Sequence, residues 1–185
     1  DPGAAQGLVG FIEAQPRLVF EAHSTDYQRR ASLRQLVRDH YAILKVGPAL
    51  TFALREAVFS LTAMEAELLP EAERSNLVEV LDRVMQEDPR HWKSHYHGTP
   101  EQQAFSRKYS RSDRIRYYWP QERVQAALKK LLANLSRKPL PLTLVSQFAP
   151  NQYGRIRDGK LESMPQAIVW DHIAEVLDDY AFACG

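Results

Sequence analysis

The chain has 185 residues, 44% of them apolar and 10% aromatic, enough for one globular domain with a buried core, or a domain with an appendage. Twenty-four basic residues against 23 acidic ones leave a net charge of +1, which excludes capture of nucleic acid or an acidic membrane by an overall field. One cysteine, Cys184, excludes a disulfide framework; with no membrane-length apolar run and no basic-then-apolar leader, a soluble protein of the reducing cytoplasm is expected.

In chain order, a short helix is expected around Ala4 to Ala14, broken by Pro16. Leu18–Ala22 reads as a buried strand. Arg30–His40 places Leu33, Leu36 and Val37 at helical spacing, and Ala42–Val46 is a second short apolar strand stopped by Gly47 and Pro48. Thr51 is placed to cap a long helix over Phe52–Leu69. Strand, helix, strand, helix with short links is the signature of parallel α/β units. Two parallel strands need further strands and cover on both faces, so this region is expected to belong to, or dock onto, a larger α/β protein.

Beyond Pro70 the pattern turns helical. Ser75 can cap a helix with Leu77, Val80, Leu81, Val84 and Met85 in one stripe, ending near Asp88 and Pro89. Pro120 suits the first turn of a helix with Val124, Leu128, Leu131, Leu132 and Leu135 inward, stopped before Pro139. Leu140–Gln147 is expected to be extended. Pro165 opens a last helix with Val169, Ile173, Val176, Leu177 and Tyr180 along one face. A boundary near residue 70 therefore separates α/β units from a mostly helical region.

Several stretches carry chemistry-bearing residues. Gly154–Lys160 matches the opening of a phosphate-binding loop, but Leu161 stands where a magnesium-binding Ser or Thr is needed and no buried strand precedes it, so it reads as a surface turn. His91, His95 and His97 have a metal-like spacing, yet Trp92 occupies the place of the glutamate in a hydrolytic zinc helix, and no cysteine or carboxylate completes a set. Arg107–Pro120 mixes arginines with Tyr109, Tyr117, Tyr118 and Trp119. With the net charge near zero this reads as an aromatic packing segment, within which Arg114 and Arg116 are a pair suited to one phosphate group or a partner surface. Ligands of parallel α/β folds sit beyond the carboxyl ends of the strands, where Glu21, His23 and Ser24 follow the first strand and Lys45 and Gly47 the second. These residues form a candidate phosphate pocket; Glu21 and His23 equally suit pairing with neighbours.

FEAHSTDYQ, LVRDHYAILKVGPALTFALREAVF, YSRSDRIRYYWP and SQFAPNQYGRI resemble one family, from near Phe11 to Cys184. It is the non-catalytic subunit of class II D-tagatose-1,6-bisphosphate aldolase, the GatZ/KbaZ type, once labelled a tagatose-6-phosphate kinase. The resemblance implies that residues 1–70 are the last strand–helix units of a (β/α)8 TIM-type barrel and 71–185 a mainly helical C-terminal extension. It implies a cytoplasmic subunit without catalysis of its own, which stabilises and activates a catalytic class II aldolase partner in galactitol or N-acetylgalactosamine breakdown. The catalytic subunits end a strand with Leu-Val-x-His-Gly-x-Ser, whose His holds zinc and whose Gly and Ser bind phosphate. Here Leu18, Val19 and Ser24 match, Glu21 stands at the zinc ligand's place and Ala22 at the glycine's. Their next strand carries Lys-(Ile/Val)-Asn; here Lys45 and Val46 match and Gly47 takes the Asn position. The implied cofactor is none, zinc belonging to the partner; taken with the residue reading above, the expected ligand is a sugar phosphate, with Glu21, His23, Ser24, Lys45, Gly47, Arg114 and Arg116 as the candidate binding residues. The alternatives are a tagatose-6-phosphate kinase and a sugar-phosphate-binding barrel without catalysis.

Overall fold

A computed structural model describes residues 2–185, and these are mostly helical, with one small sheet among them. Helix α1 (Pro2–Glu13) leads into β1 (Phe20–Ala22), α2 (Arg30–Arg38), β2 (Tyr41–Leu44) and the long α3 (Pro48–Leu68). Then come α4 (Leu77–Glu87), α5 (Pro100–Tyr109), α6 (Glu122–Leu135), α7 (Leu142–Phe148), α8 (Pro150–Arg157) and α9 (Pro165–Cys184). Among the described residues no helix is long and apolar enough to cross a membrane.

Two compact units divide the chain: residues 1–50 with 174–185, and residues 51–173. In the first, β1 and β2 pair in parallel, with Phe20 opposite Tyr41, Glu21 opposite Ile43 and Ala22 opposite Leu44, and an irregularity between Phe20 and Glu21. The parallel pair is the one expected, but β1 is shorter than Leu18–Ala22. Leu18 and Val19 are 56% and 63% exposed, not buried. A strand with one neighbour and an open face gives such residues nothing to pack on. Among the described residues, Ile12, Ala22, Leu33, Ala49 and Ala183 are the buried apolar residues of this unit. The end of α9 is tied to α2 by Arg30, which lies over the Phe182 ring and 3.3 Å from Asp179.

The second unit holds a continuous core. The stripe Leu77, Leu81, Val84 and Met85 of α4 packs against α6, whose Val124, Ala127, Leu131 and Leu135 are buried, joined by Leu61 and Met64 of α3. Three buried aromatics keep their polar ends satisfied: Trp92 Nε1 donates to the Met85 carbonyl at 2.6 Å, Tyr96 Oη to the Ser112 carbonyl at 2.7 Å, and Tyr118 Oη to the Asp88 carbonyl, whereas Trp119 Nε1 is buried without a hydrogen-bond partner. Charges inside are paired. Glu65, 1% exposed, accepts from the Ser75 amide and hydroxyl and from Asn134 Nδ2. Arg107 meets Asp82 at 2.6 Å, and Arg55 lies 3.7 Å from Asp113. Burial pushes the Asp113 carboxyl above its ordinary value, against the opposing pull of Thr51 and Arg55.

Several helix boundaries depart from expectation for identifiable reasons. Helix α3 starts at Pro48, so Thr51 lies inside it; proline's fixed φ and missing N–H suit a first turn. Helix α4 is entered through Asn76 in the left-handed region (φ 51°), while Ser75 is engaged by Glu65. Helix α5 was not expected, although Thr99 and Gln102 form a reciprocal capping box with Pro100 in the first turn. The stretch expected to be extended, Leu140–Gln147, instead contributes α7, which buries Val145 and packs on α8. In α9 the buried positions are Pro165, Ile168 and Ala183, and Leu177 is 48% exposed.

Candidate functional site at the strand ends

Residues alternate between the faces of a strand, so Glu21 and His23 share one face of β1 and its continuation. Lys45 lies two residues past Ile43, the strand partner of Glu21. The three side chains meet. Glu21 Oε1 is 2.6 Å from Lys45 Nζ and 2.5 Å from His23 Nε2. The Lys45 ammonium, through its hydrogen bond, holds the Glu21 carboxyl below its ordinary value, and His23 adds to the effect. All three side chains are substantially exposed, so water screens the cluster and its contribution to stability is small.

The loop after β1 is held from several directions. Thr25, buried, donates its hydroxyl to the Lys45 carbonyl at 2.9 Å and shares a 2.9 Å hydrogen bond with the Tyr180 hydroxyl. The Lys45 amide donates back to the Ala22 carbonyl at 2.9 Å. Ser24 and Tyr27 both sit in the left-handed region, at φ 57° and 59°, a conformation that costs a side-chain-bearing residue about 1 kcal/mol or more. Tertiary hydrogen bonds, not local preference, therefore fix the loop. Asp26 Oδ1 accepts the Gly47 amide at 2.8 Å and the Ala49 amide at 2.9 Å, which caps the start of α3 from outside that helix. The approach is close: a Cβ at residue 47 would come within 3.3 Å of Asp26 Oδ2.

An open cleft of about 860 Å³ lies beside this loop, and Glu21, His23, Ser24, Gln28, Ser32 and Gln35 are among its lining residues. Hydroxyls, amides, an imidazole and a carboxylate make it a place for a hydrogen-bonding, polyhydroxylated ligand. Of the residues singled out in the sequence, Glu21, His23 and Lys45 are in contact, Ser24 joins Glu21 and His23 on the cleft wall, and Gly47 has its amide committed to Asp26. Lys45 and Gly47 are outside the lining. Arg114 and Arg116 belong to the other unit, on the 3-10 turn Arg114–Tyr117. Thr25 was not singled out, and Tyr180 only as one residue of a helix face. Their partners lie 20 and 155 residues away, so no local pattern marks the contact.

Glu21 Oε1 already meets the Lys45 ammonium, and the described residues contain no group of three or more His, Cys, Asp or Glu side chains that could hold a metal ion. The other two motifs resolve as packing. His91 stacks on Tyr117 with ring centroids 4.8 Å apart, and His95 and His97 are exposed. Gly154–Lys160 is the end of α8 followed by a turn with Gly159 at φ 69°, not a loop between a strand and a helix.

With this geometry in view, comparison with known proteins is specific. A family model described as D-tagatose-1,6-bisphosphate aldolase subunit GatZ/KbaZ-like matches residues 1–185. The chain is also similar to a protein whose crystal structure is described as that of a probable tagatose 6 phosphate kinase from Sinorhizobium meliloti 1021. The two share 44% identity and a TM-score of 0.95 over 100% of this chain. The matched region spans 48% of that protein, about half its length.

Proposed function

The chain belongs to the GatZ/KbaZ-like family of D-tagatose-1,6-bisphosphate aldolase subunits, and from that premise we propose that it is part of a non-catalytic subunit that stabilises and activates a catalytic class II aldolase partner. In this reading residues 1–70 supply the last strand–helix units of a TIM-type barrel and residues 71–185 a helical extension. The single observation that carries the non-catalytic role is the Lys45–Glu21–His23 cluster. At the position where the related catalytic subunits present a zinc-binding imidazole, this chain presents a carboxylate whose charge is already met by its own lysine and histidine. Cleavage of a ketose bisphosphate requires a Lewis acid to stabilise the enediolate. Zinc in this proposal belongs to the partner, and the strand-end cleft, with Glu21, His23 and Ser24 on its wall and Lys45 and Gly47 close behind, holds at most a sugar phosphate.

A protein that binds only the folded form of another stabilises it by mass action, which gives the activating role a physical basis. The kinase description of the similar crystal structure would require a nucleotide site, and the one stretch here that resembles such a loop is the end of a helix. The test is co-expression of the full-length parent with its catalytic partner, followed by aldolase half-life and turnover. The proposal expects a longer half-life and higher turnover in the complex. A partner equally active and equally stable alone would refute it.

A further inference from the structure

The helical unit pairs its buried arginines with acids: Arg107 with Asp82, and Arg55 with Asp113. The 3-10 turn Arg114–Tyr117 breaks that pattern. It is firmly held, since Ile115 is 1% exposed and the Arg114 amide donates to the buried Tyr96 hydroxyl at 3.1 Å. A three-residue period brings residues 114 and 117 to the same side. Arg116 Nη2 donates to Tyr117 Oη at 2.9 Å, and its guanidinium lies 4.8 Å from that ring's centre. The Arg114 guanidinium lies 5.9 Å from the same ring, and its Nε is buried without a hydrogen-bond partner. The imidazole of His91 stacks behind the Tyr117 ring.

Among the described residues neither Arg114 nor Arg116 makes an ion pair. The adjacent carboxylate, Asp113, is buried beside Arg55, with Thr51 and, beyond ion-pair distance, Arg116 also acting on it. Two guanidinium groups therefore converge on one half-exposed phenol with no acid in ion-pair contact with either. We propose that Arg114, Arg116 and Tyr117, backed by His91, form a binding site for a phosphomonoester dianion. Guanidinium forks match phosphate oxygens in pairs, and the phenol adds one more donor. Two guanidinium groups outside any ion pair match a dianion better than the single charge of a carboxylate. The unbalanced field is visible in the phenol itself: Arg116 first, and Arg114 with it, hold Tyr117 below the ordinary tyrosine value. The groups facing that phenol are Arg114 and Arg116 on its own turn and His91 across from it; nearby, Asp88 and Arg90 neutralise each other. This site is independent of the aldolase-subunit reading, and either can fail without the other.

The experiment is calorimetric titration of the 185-residue chain with inorganic phosphate, with a sugar monophosphate, and with acetate as the monoanion control. Saturable phosphate binding is expected, with a dissociation constant on the order of a millimolar. It should weaken at least ~10-fold, about 1.4 kcal/mol, in Arg116→Gln and in Arg114→Gln, and hold in Arg123→Gln, which removes an exposed charge elsewhere. Phosphate should also raise the midpoint of one phenolate absorbance titration, a change absent from Tyr117→Phe. A sugar phosphate that binds as tightly as inorganic phosphate, or more tightly, supports the site and says whether the sugar is also gripped. No saturable binding overturns the proposal, as does binding indifferent to both arginine variants. Acetate binding as tight as phosphate also overturns it, in favour of a carboxylate-bearing partner surface. If one arginine variant does not fold, the other decides.

Discussion

The two units of this chain solve the burial problem to different degrees. Residues 51–173 enclose Leu61, Met64, Leu77, Leu81, Met85, Leu131 and Tyr118 almost completely, and satisfy nearly all the polar groups caught among them. Residues 1–50 with 174–185 leave Leu8, Phe11, Leu18, Val19 and Ile43 between 45% and 63% exposed. The difference follows from architecture. Helices can bury their stripes against one another, whereas a parallel strand pair needs more strands beside it and layers above and below. The helical unit also leaves Phe105, Leu142 and Trp170 exposed, so the difference lies in the size of the enclosed core, and the strand-end candidate site lies in the unit with the smaller one.

The sharpest way to break this comparison is to remove the same side chain from each unit. Leu61→Ala should lower stability by about 2–5 kcal/mol, read as a large drop in the urea midpoint, because a full cavity opens in a closed core. Leu18→Ala, at an exposed position, should change it by less than about 0.5 kcal/mol. Equal losses would mean that the strand unit is packed as tightly as the helical one. A smaller effect tests what does hold the strand unit together. Asp26→Ala removes the acceptor for two amides at the start of α3 and should cost about 1 kcal/mol. Amide hydrogen exchange at Gly47 and Ala49 should quicken first; unchanged exchange there would show that another group caps the helix.

The smallest effect concerns the Glu21 cluster. The Glu21 carboxyl is lowered in the folded state relative to 4.5, so its ion pairs contribute fully above that pH and are lost as the pH falls through the folded value. Lys45→Met removes the main cause, and a carboxyl titration followed by NMR should move up toward 4.5 with little change in stability, since the cluster is exposed. A Glu21 titration indifferent to Lys45 would separate the two residues and remove the observation on which the proposed non-catalytic role rests.

Much of the helical unit was legible from spacing. The stripes of α4 and α6 are read directly from residues three and four apart, because a buried helix face must be apolar at that period. Helix α5 is equally legible in Thr99, Pro100 and Gln102, a capping box with proline in the first turn. Helix α7 was misread because Leu142, Leu144 and Val145 form a short apolar run, which suits a strand or a buried helix alike. At the candidate site, the sequence placed Glu21, His23 and Ser24 at one strand end and Lys45 at the next, and the parallel pairing of the two strands brings Glu21 to Lys45.

By itself, then, the sequence determined the parallel strand pair, most of the helices and the family, since periodicity and long matching stretches are local properties of the chain. Only the tertiary structure decided what the polar residues do. Whether the Gly47 amide meets Asp26, whether Glu21 takes Lys45 as its partner, and whether Arg114 and Arg116 find any acid depend on groups placed a few ångströms apart by folding. Charge and hydrogen-bond interactions act over those distances, and separation along the sequence does not report them.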